Sequence, residues 1–371
     1  MKKKSLLALI ILIIFLDRLT AQGLRIPNST VNQPSMVGRT VGATEIEVRW
    51  NAPGVKGREG KIWGTDVAPY GFEPLGYGSD KPSPWRAGAD EITTIQFSTD
   101  VKVNGQNLPA GKYGFLIALY ADSSTLVFNK NTEAWGAYFY RPELDVLRVK
   151  TIQQKDQKES VERMIYSFSN QTANSVEIAL EWERWRIPFK VEVDVTNTTL
   201  ESIRMQMTGA LGFDPPSLEA AANWCLVNKV NFEEGLNWIN RATNPALGAT
   251  QTFRALSIKA ELLKNLNRKE DADNIMLSAI DNATAVELHQ YGRNLLNQGK
   301  KEEAMKIFEK NYSKHKGAWP TQVGMMRGYS AMGNYKKALE HAKLALPQAP
   351  DDLNRRAIDA AIKTLSEGKP L

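Results

Sequence analysis

The sequence predicts two structural classes in one chain: an all-β N-terminal domain, an antiparallel β-sandwich or barrel, then an all-α C-terminal domain of helical repeats. Short segments with period-two alternation run through 41–195, the pattern of half-buried strands. After Pro215-Pro216 the apolar residues take helical spacing, as Tyr335, Ala338, Leu339, Ala342 and Leu346 do. A glycine turn and an alanine also recur together, Gly299 with Gly333 and Ala304 with Ala338. At 371 residues the chain has room for two to three domains of roughly 150 residues.

Residues 1–21 read as an export signal. Lys2, Lys3 and Lys4 precede an unbroken apolar run over 6–16, shorter than the roughly 20 residues of a spanning helix but suited to a signal core. Cleavage is expected after Ala21, and no stable membrane span is expected once the signal is gone. Leu19 is large for its place near the cut, which leaves a retained anchor open. The expected location is the bacterial periplasm or cell envelope, or outside the cell.

A β domain is expected over 22–205. Strands are expected at 44–50, 91–97, 101–106, 112–120, 125–129, 145–152, 161–168, 175–182 and 187–195, separated by turns rich in Gly, Pro, Asn and Asp. Asn104-Gly105 is a strong hairpin signal. In the run Glu181-Trp182-Glu183-Arg184-Trp185 two strands meet at a corner, with Trp182 inward and Glu181 and Glu183 outward. Pro188 suits a strand start or edge. No strand–glycine-turn–helix unit supports a nucleotide site.

A linker is expected over 206–216 and repeats over 217–371. Gly333-Asn334-Tyr335-Lys336-Lys337-Ala338, with Pro350 downstream, resembles the tetratricopeptide repeat, whose period is 34. Gly235, Ala272, Ala304 and Ala338 mark successive copies, spaced 37, 32 and 34. A small residue there lets neighbouring helices approach closely. Residues 351–367 would form a capping helix.

Charge and cysteine content exclude several classes. The formal charge is +6, and +3 without the signal; 22–214 carry −2 and 215–371 carry +5. Neither half is polarised enough for nucleic acid. The single Cys225 allows no internal disulfide and reads as a buried, inert thiol.

The strand half also resembles a known family. The series Val37-Gly38, Glu45-Ile46, Trp50-Asn51-Ala52-Pro53, Val55-Lys56-Gly57-Arg58, Ile62-Trp63-Gly64 and Pro69-Tyr70-Gly71 is followed by Trp85-Arg86-Ala87-Gly88-Ala89-Asp90-Glu91. Then come Leu108-Pro109-Ala110-Gly111-Lys112-Tyr113, Phe128-Asn129-Lys130 and Trp135-Gly136-Ala137-Tyr138. This order is similar to the exported domain-of-unknown-function family 2911 over about 35–195. It departs between Gly71 and Trp85, where 72–84 reads as an inserted loop. The resemblance implies an exported bacterial β domain without established activity, and no catalytic residues to carry over.

All three histidines, His289, His315 and His341, lie in the helical half. A His-dependent triad or zinc site therefore has no place in the β domain, and no cofactor or metal is expected. Paired carboxylates for glycoside hydrolysis remain in Asp90, Glu91 and Glu133. Asp90 and Glu91, however, are strand neighbours that point to opposite faces. The candidate ligand-binding patch is Trp85, Arg86, Asp90, Glu91, Asn129, Lys130 and Trp135. Its guanidinium fork and flat rings suit a sugar or a peptide carboxylate. The competing reading is an Arg86 ion pair with Asp90 or Glu91 over a tight loop, with both tryptophans in the core.

Two functions follow. One is a non-enzymatic envelope protein that binds a protein or peptide partner through 217–371, since stacked helix pairs build such surfaces. The other is a carbohydrate-binding or carbohydrate-active protein using the β-domain patch. Repeats that only pack and stabilise the chain are a third outcome.

Overall fold

The fold comes from a computed structural model that describes residues 32–371. The expected export signal lies outside the described residues. Two compact units divide between Ser202 and Ile203.

The first unit is a β-sandwich. One sheet has the order β1-β2-β3-β6-β7-β8, formed by Gln33–Val41, Thr44–Ala52, Ala89–Phe97, Gly111–Leu119, Ser124–Asn129 and Asp145–Thr151. The other has the order β5-β4-β11-β10-β9, formed by Gln106–Leu108, Val101–Val103, Trp185–Glu192, Ser175–Glu183 and Val161–Ser169. All pairings between strands are antiparallel. The core lies between the inner faces, where Ile46, Val48, Phe115, Phe128, Ile178 and Ile187 are buried. Strand β2 alternates buried and open residues along its length, as a strand with one covered face must. Strand β6 is buried on both faces from Tyr113 onward. Its outer face is roofed by the loops 72–84 and 131–141: Leu116 and Val127 pack with Ile92, Ala134, Ala137 and Tyr140, and Phe72 lies against them.

Three sequence expectations need correction. Strand β1 was not expected. It is exposed along most of both faces, so it shows no alternation, and its ladder to β2 fixes it. The last strand starts at Trp185 and ends at Glu192 rather than running over 187–195. The chain then turns into helix α1, Val195–Gln206, where Asp194 accepts the Asn197 N–H at 3.1 Å as an N-cap does. Glu183 points inward, not outward: it is buried because φ is +51° at this residue, which breaks the alternation at the hairpin end.

The second unit consists of helix hairpins. Helices α2 (Pro215–Asn228), α3 (Phe232–Ala242), α4 (Phe253–Asn265), α5 (Lys269–Asn282), α6 (Ala285–Asn297), α7 (Lys301–His315), α8 (Trp319–Ala331) and α9 (Tyr335–Ala345) pack in sequence, followed by α10 (Asp352–Ser366). The turn inside each hairpin is the same. Its N–H groups reach back three and five residues, from Lys229 to Leu226 and Val230 to Cys225, from Asn267 to Lys264 and Arg268 to Leu263, and likewise at 299/300 and 333/334. This is the Schellman termination, and Lys229, Asn267, Gly299 and Gly333 occupy its left-handed position. The anchors Gly235, Ala272, Ala304 and Ala338 are all buried. The C-terminal half is therefore a helical-repeat domain. The stretch 206–216 holds a 3-10 turn at Ala210–Phe213 and the Asp214 cap of α2.

Candidate functional site

The structure separates the seven patch residues. Trp85 is buried and stacks with Trp182 at 6.2 Å; Trp63 meets both edge-on and lies flat on Trp185 at 4.5 Å. Glu183 anchors this tryptophan stack by accepting the Trp63 indole N–H and the Gly60 N–H, each at 2.9 Å. No adjacency in the sequence joins 60–63 to 183. Asn129 is buried and structural: its amide donates to the Asp145 carboxylate at 2.7 Å and to the Arg141 carbonyl at 3.0 Å, and its oxygen accepts the Asn131 N–H. Lys130 is exposed.

The Arg86 ion pair expected as the competing reading is absent among the described residues. Asp90 accepts Asn32 at 2.9 Å and Glu91 accepts Asn51 at 2.6 Å. Each carboxylate is thus held by a different asparagine. Arg86 is half-buried and lies against Gly136; a Cβ on Gly136 would sit 2.6 Å from a terminal guanidinium nitrogen. Trp135, next in the chain, is 55% exposed, so only Trp85 of the two tryptophans is in the core. Arg86 and Gly136 thus meet, with the exposed Trp135 next to Gly136 in the chain, while Trp85 and Asn129 belong to the interior.

The helical unit presents a second arrangement. A shallow cleft runs over the first helices of successive hairpins, bordered by Asn223, Ser257, Gln290, Tyr291 and Asn294. Further along, Leu296, Lys301, Arg327, Ser330 and Tyr335 border another. Arg293 and Arg327 hold equivalent places one repeat apart. Arg327 is half-buried, and its Nε has no hydrogen-bond partner among the described residues. Neither arginine has a carboxylate partner among the described residues. Burial, then the charges of Arg327 and Arg293, push the nearby His289 imidazole down from 6.5 to about 4, so it is neutral at pH 7. Sequence reasoning named His289 without its setting; the 34-residue interval between the two arginines was the available signal.

Two further titratable groups, His341 and Cys225, are held inside the helical unit. His341 stacks on Tyr329 at 5.5 Å and bonds Gln322 at 2.7 Å. The Cys225 thiol is buried, which together with the Glu234 charge raises it to about 11. The described residues include no helix long and apolar enough to cross a membrane and no cluster of three metal-ligating side chains.

Residues 28–191 match the model of a family described as protein of unknown function (DUF2911). No curated protein matches the chain. Among solved structures, the chain is similar to "YrrB: a TPR protein with an unusual peptide-binding site", at 19% identity and a TM-score of 0.27, over 44% of this chain and 86% of that one.

Proposed function

We propose that this chain, a DUF2911 domain followed by tetratricopeptide-like repeats, is an exported, non-enzymatic envelope protein that binds a protein or peptide partner through 217–371. The observation that carries the reading is the pair Arg293 and Arg327, set one repeat apart beside neutral His289 and joined to no carboxylate by an ion pair among the described residues. Cations left unpaired on one face suit a segment that brings acidic side chains, and such complementarity sets specificity and association rate. The polar border of Asn223, Gln290 and Asn294 supplies donors and acceptors for an extended backbone. Export rests on the basic, then apolar, opening of the sequence.

Two experiments test this reading. Cross-linking in the native envelope compares the wild-type protein with an Arg293→Glu/Arg327→Glu variant. A protein captured by the wild type and lost in the variant supports the repeats as the binding face; equal capture by both refutes it. Mass analysis of the exported protein should give an N-terminus at Gln22, and an intact Met1 would show retention of the signal.

A further inference from the structure

We infer that Arg86 of the β unit forms a binding site for a single carboxylate, carried on a compact body that rests against Trp135. Every residue of this site belongs to the β unit, and its argument uses nothing from the repeats.

Three observations place the guanidinium there for a purpose other than internal pairing. First, Arg86 Nε is buried and has no hydrogen-bond partner among the described residues. No ion pair joins Arg86 to a described carboxylate, because the two nearest in sequence are held by Asn32 and Asn51. The chain outside the described residues brings one acid, Asp17, within 1–31. A buried donor without an acceptor is unfavourable, so the fold holds the Arg86 Nε at a cost to itself.

Second, the loop that carries Arg86 is strained and firmly held. Ala87 and Asp90 both have positive φ, +52° and +55°, a region that L side chains adopt at some energetic expense. The Ala87 carbonyl is clamped by the Thr93 hydroxyl at 3.0 Å and by the Tyr166 hydroxyl at 2.8 Å, deep in the sandwich. The opposite wall is Gly136, whose lack of a side chain makes the room that the guanidinium occupies.

Third, the exposed indole of Trp135 is joined directly to that wall. An exposed aromatic ring one residue along the chain from the glycine that the guanidinium lies against supplies an apolar face close to a planar donor fork. The fork matches the two oxygens of a carboxylate. A monoanion fits one fork better than a phosphate dianion, which would call for a second cation.

The carboxylate could come from a sugar acid or from the end of a peptide, and the probes separate these sources. The purified protein, labelled with 15N, is titrated with methyl β-D-glucuronide and with N-acetyl-L-leucine. Methyl β-D-glucoside and N-acetyl-L-leucinamide are the uncharged controls. The expected result is a shift of the Arg86 Nε–H and Trp135 indole signals with at least one acid, at a Kd of about 1 mM or tighter. The matching control should bind at least about tenfold more weakly. Arg86→Met should abolish the shift of the Trp135 signal while Tm stays level or rises. Arg86→Lys, which keeps the charge and loses the fork, should weaken binding about fivefold or more. Absence of any shift with both acids overturns the proposal. So does a fall in Tm of about 5 °C or more in both variants, which would make the guanidinium a structural group. Binding of sulfate as tight as that of the acids would equally overturn it, by showing an unselective cation.

Discussion

Glu183 shows how much one side chain can hold. Its carboxylate is buried and takes the N–H of Trp63 and of Gly60. Removing it takes the acceptor from the part-buried Trp63 indole N–H, which costs about 1–3 kcal/mol, and from the exposed Gly60 N–H, which water can still satisfy. Glu183→Ala is therefore expected to cost about 1–3 kcal/mol, read as a lower denaturation midpoint in urea with unchanged slope. His289 makes the converse case. Its folded value of about 4 lies below its ordinary 6.5, so the unfolded chain takes up the proton first. Stability contributed by the neutral ring is complete above about pH 6.5 and is lost as pH falls toward 4, by up to about 3 kcal/mol. His289→Gln should remove this acid slope, measured by urea denaturation at pH 7 and at pH 4.5. At the same scale, sequence adjacency proved a poor guide to the candidate site. Trp85 and Arg86 are neighbours, yet alternation sends one ring into the core and the other side chain toward Gly136. Residues 86 and 136 meet through folding of two loops, which no local pattern records.

Elements were legible where their cause is local. Strand β2 alternates because one of its faces is covered, and the repeat turns end alike because each puts a residue in the left-handed region. Strand β1 was not legible: its place is fixed by backbone pairing to β2, and its exposed side chains carry no pattern. Packing between helices was hidden as well. Phe308 of α7 is fully buried, and its ring lies against three glycines, Gly292 of α6 and Gly324 and Gly328 of α8. In an open helix, Gly→Ala stabilises by about 1 kcal/mol. Here a methyl group at 292 would collide with the ring, and overpacking of this kind costs about 1–3 kcal/mol. Gly292→Ala should therefore destabilise, and a Phe308→Leu background should recover much of the loss. A double-mutant cycle by thermal denaturation should give a coupling of about 1 kcal/mol or more. Additive effects would show that the ring is not held by that glycine.

At the scale of the whole molecule, the division near residue 202 separates two kinds of cohesion. The sandwich joins distant segments, Trp50 to Met164 and Gly60 to Glu183 among them, while each hairpin of the second unit closes on its sequence neighbours. Repeat arrays sum nearest-neighbour terms and open in parts, whereas sheets of distant strands pair slowly and open together. Calorimetry is expected to show two transitions. Moving from pH 7 to pH 4.5 should lower one much more than the other. Hydrogen exchange should assign the acid-sensitive one to 203–371, where His289 lies. A single transition with uniform acid loss would contradict this division.

The glycines around Phe308 also limit how such an array can grow. Tandem arrays lengthen when a unit of the gene is copied in frame. A copy of 285–318 inserted after residue 318 would face the original Phe308 with a second version of α6 in place of α8. The places held by Gly324 and Gly328 would then be taken by the equivalents of Gln290 and Asn294, whose side chains need the volume filled by the ring. That copy could not dock without a further substitution. The seating of one aromatic ring thus bars an in-frame copy at this junction.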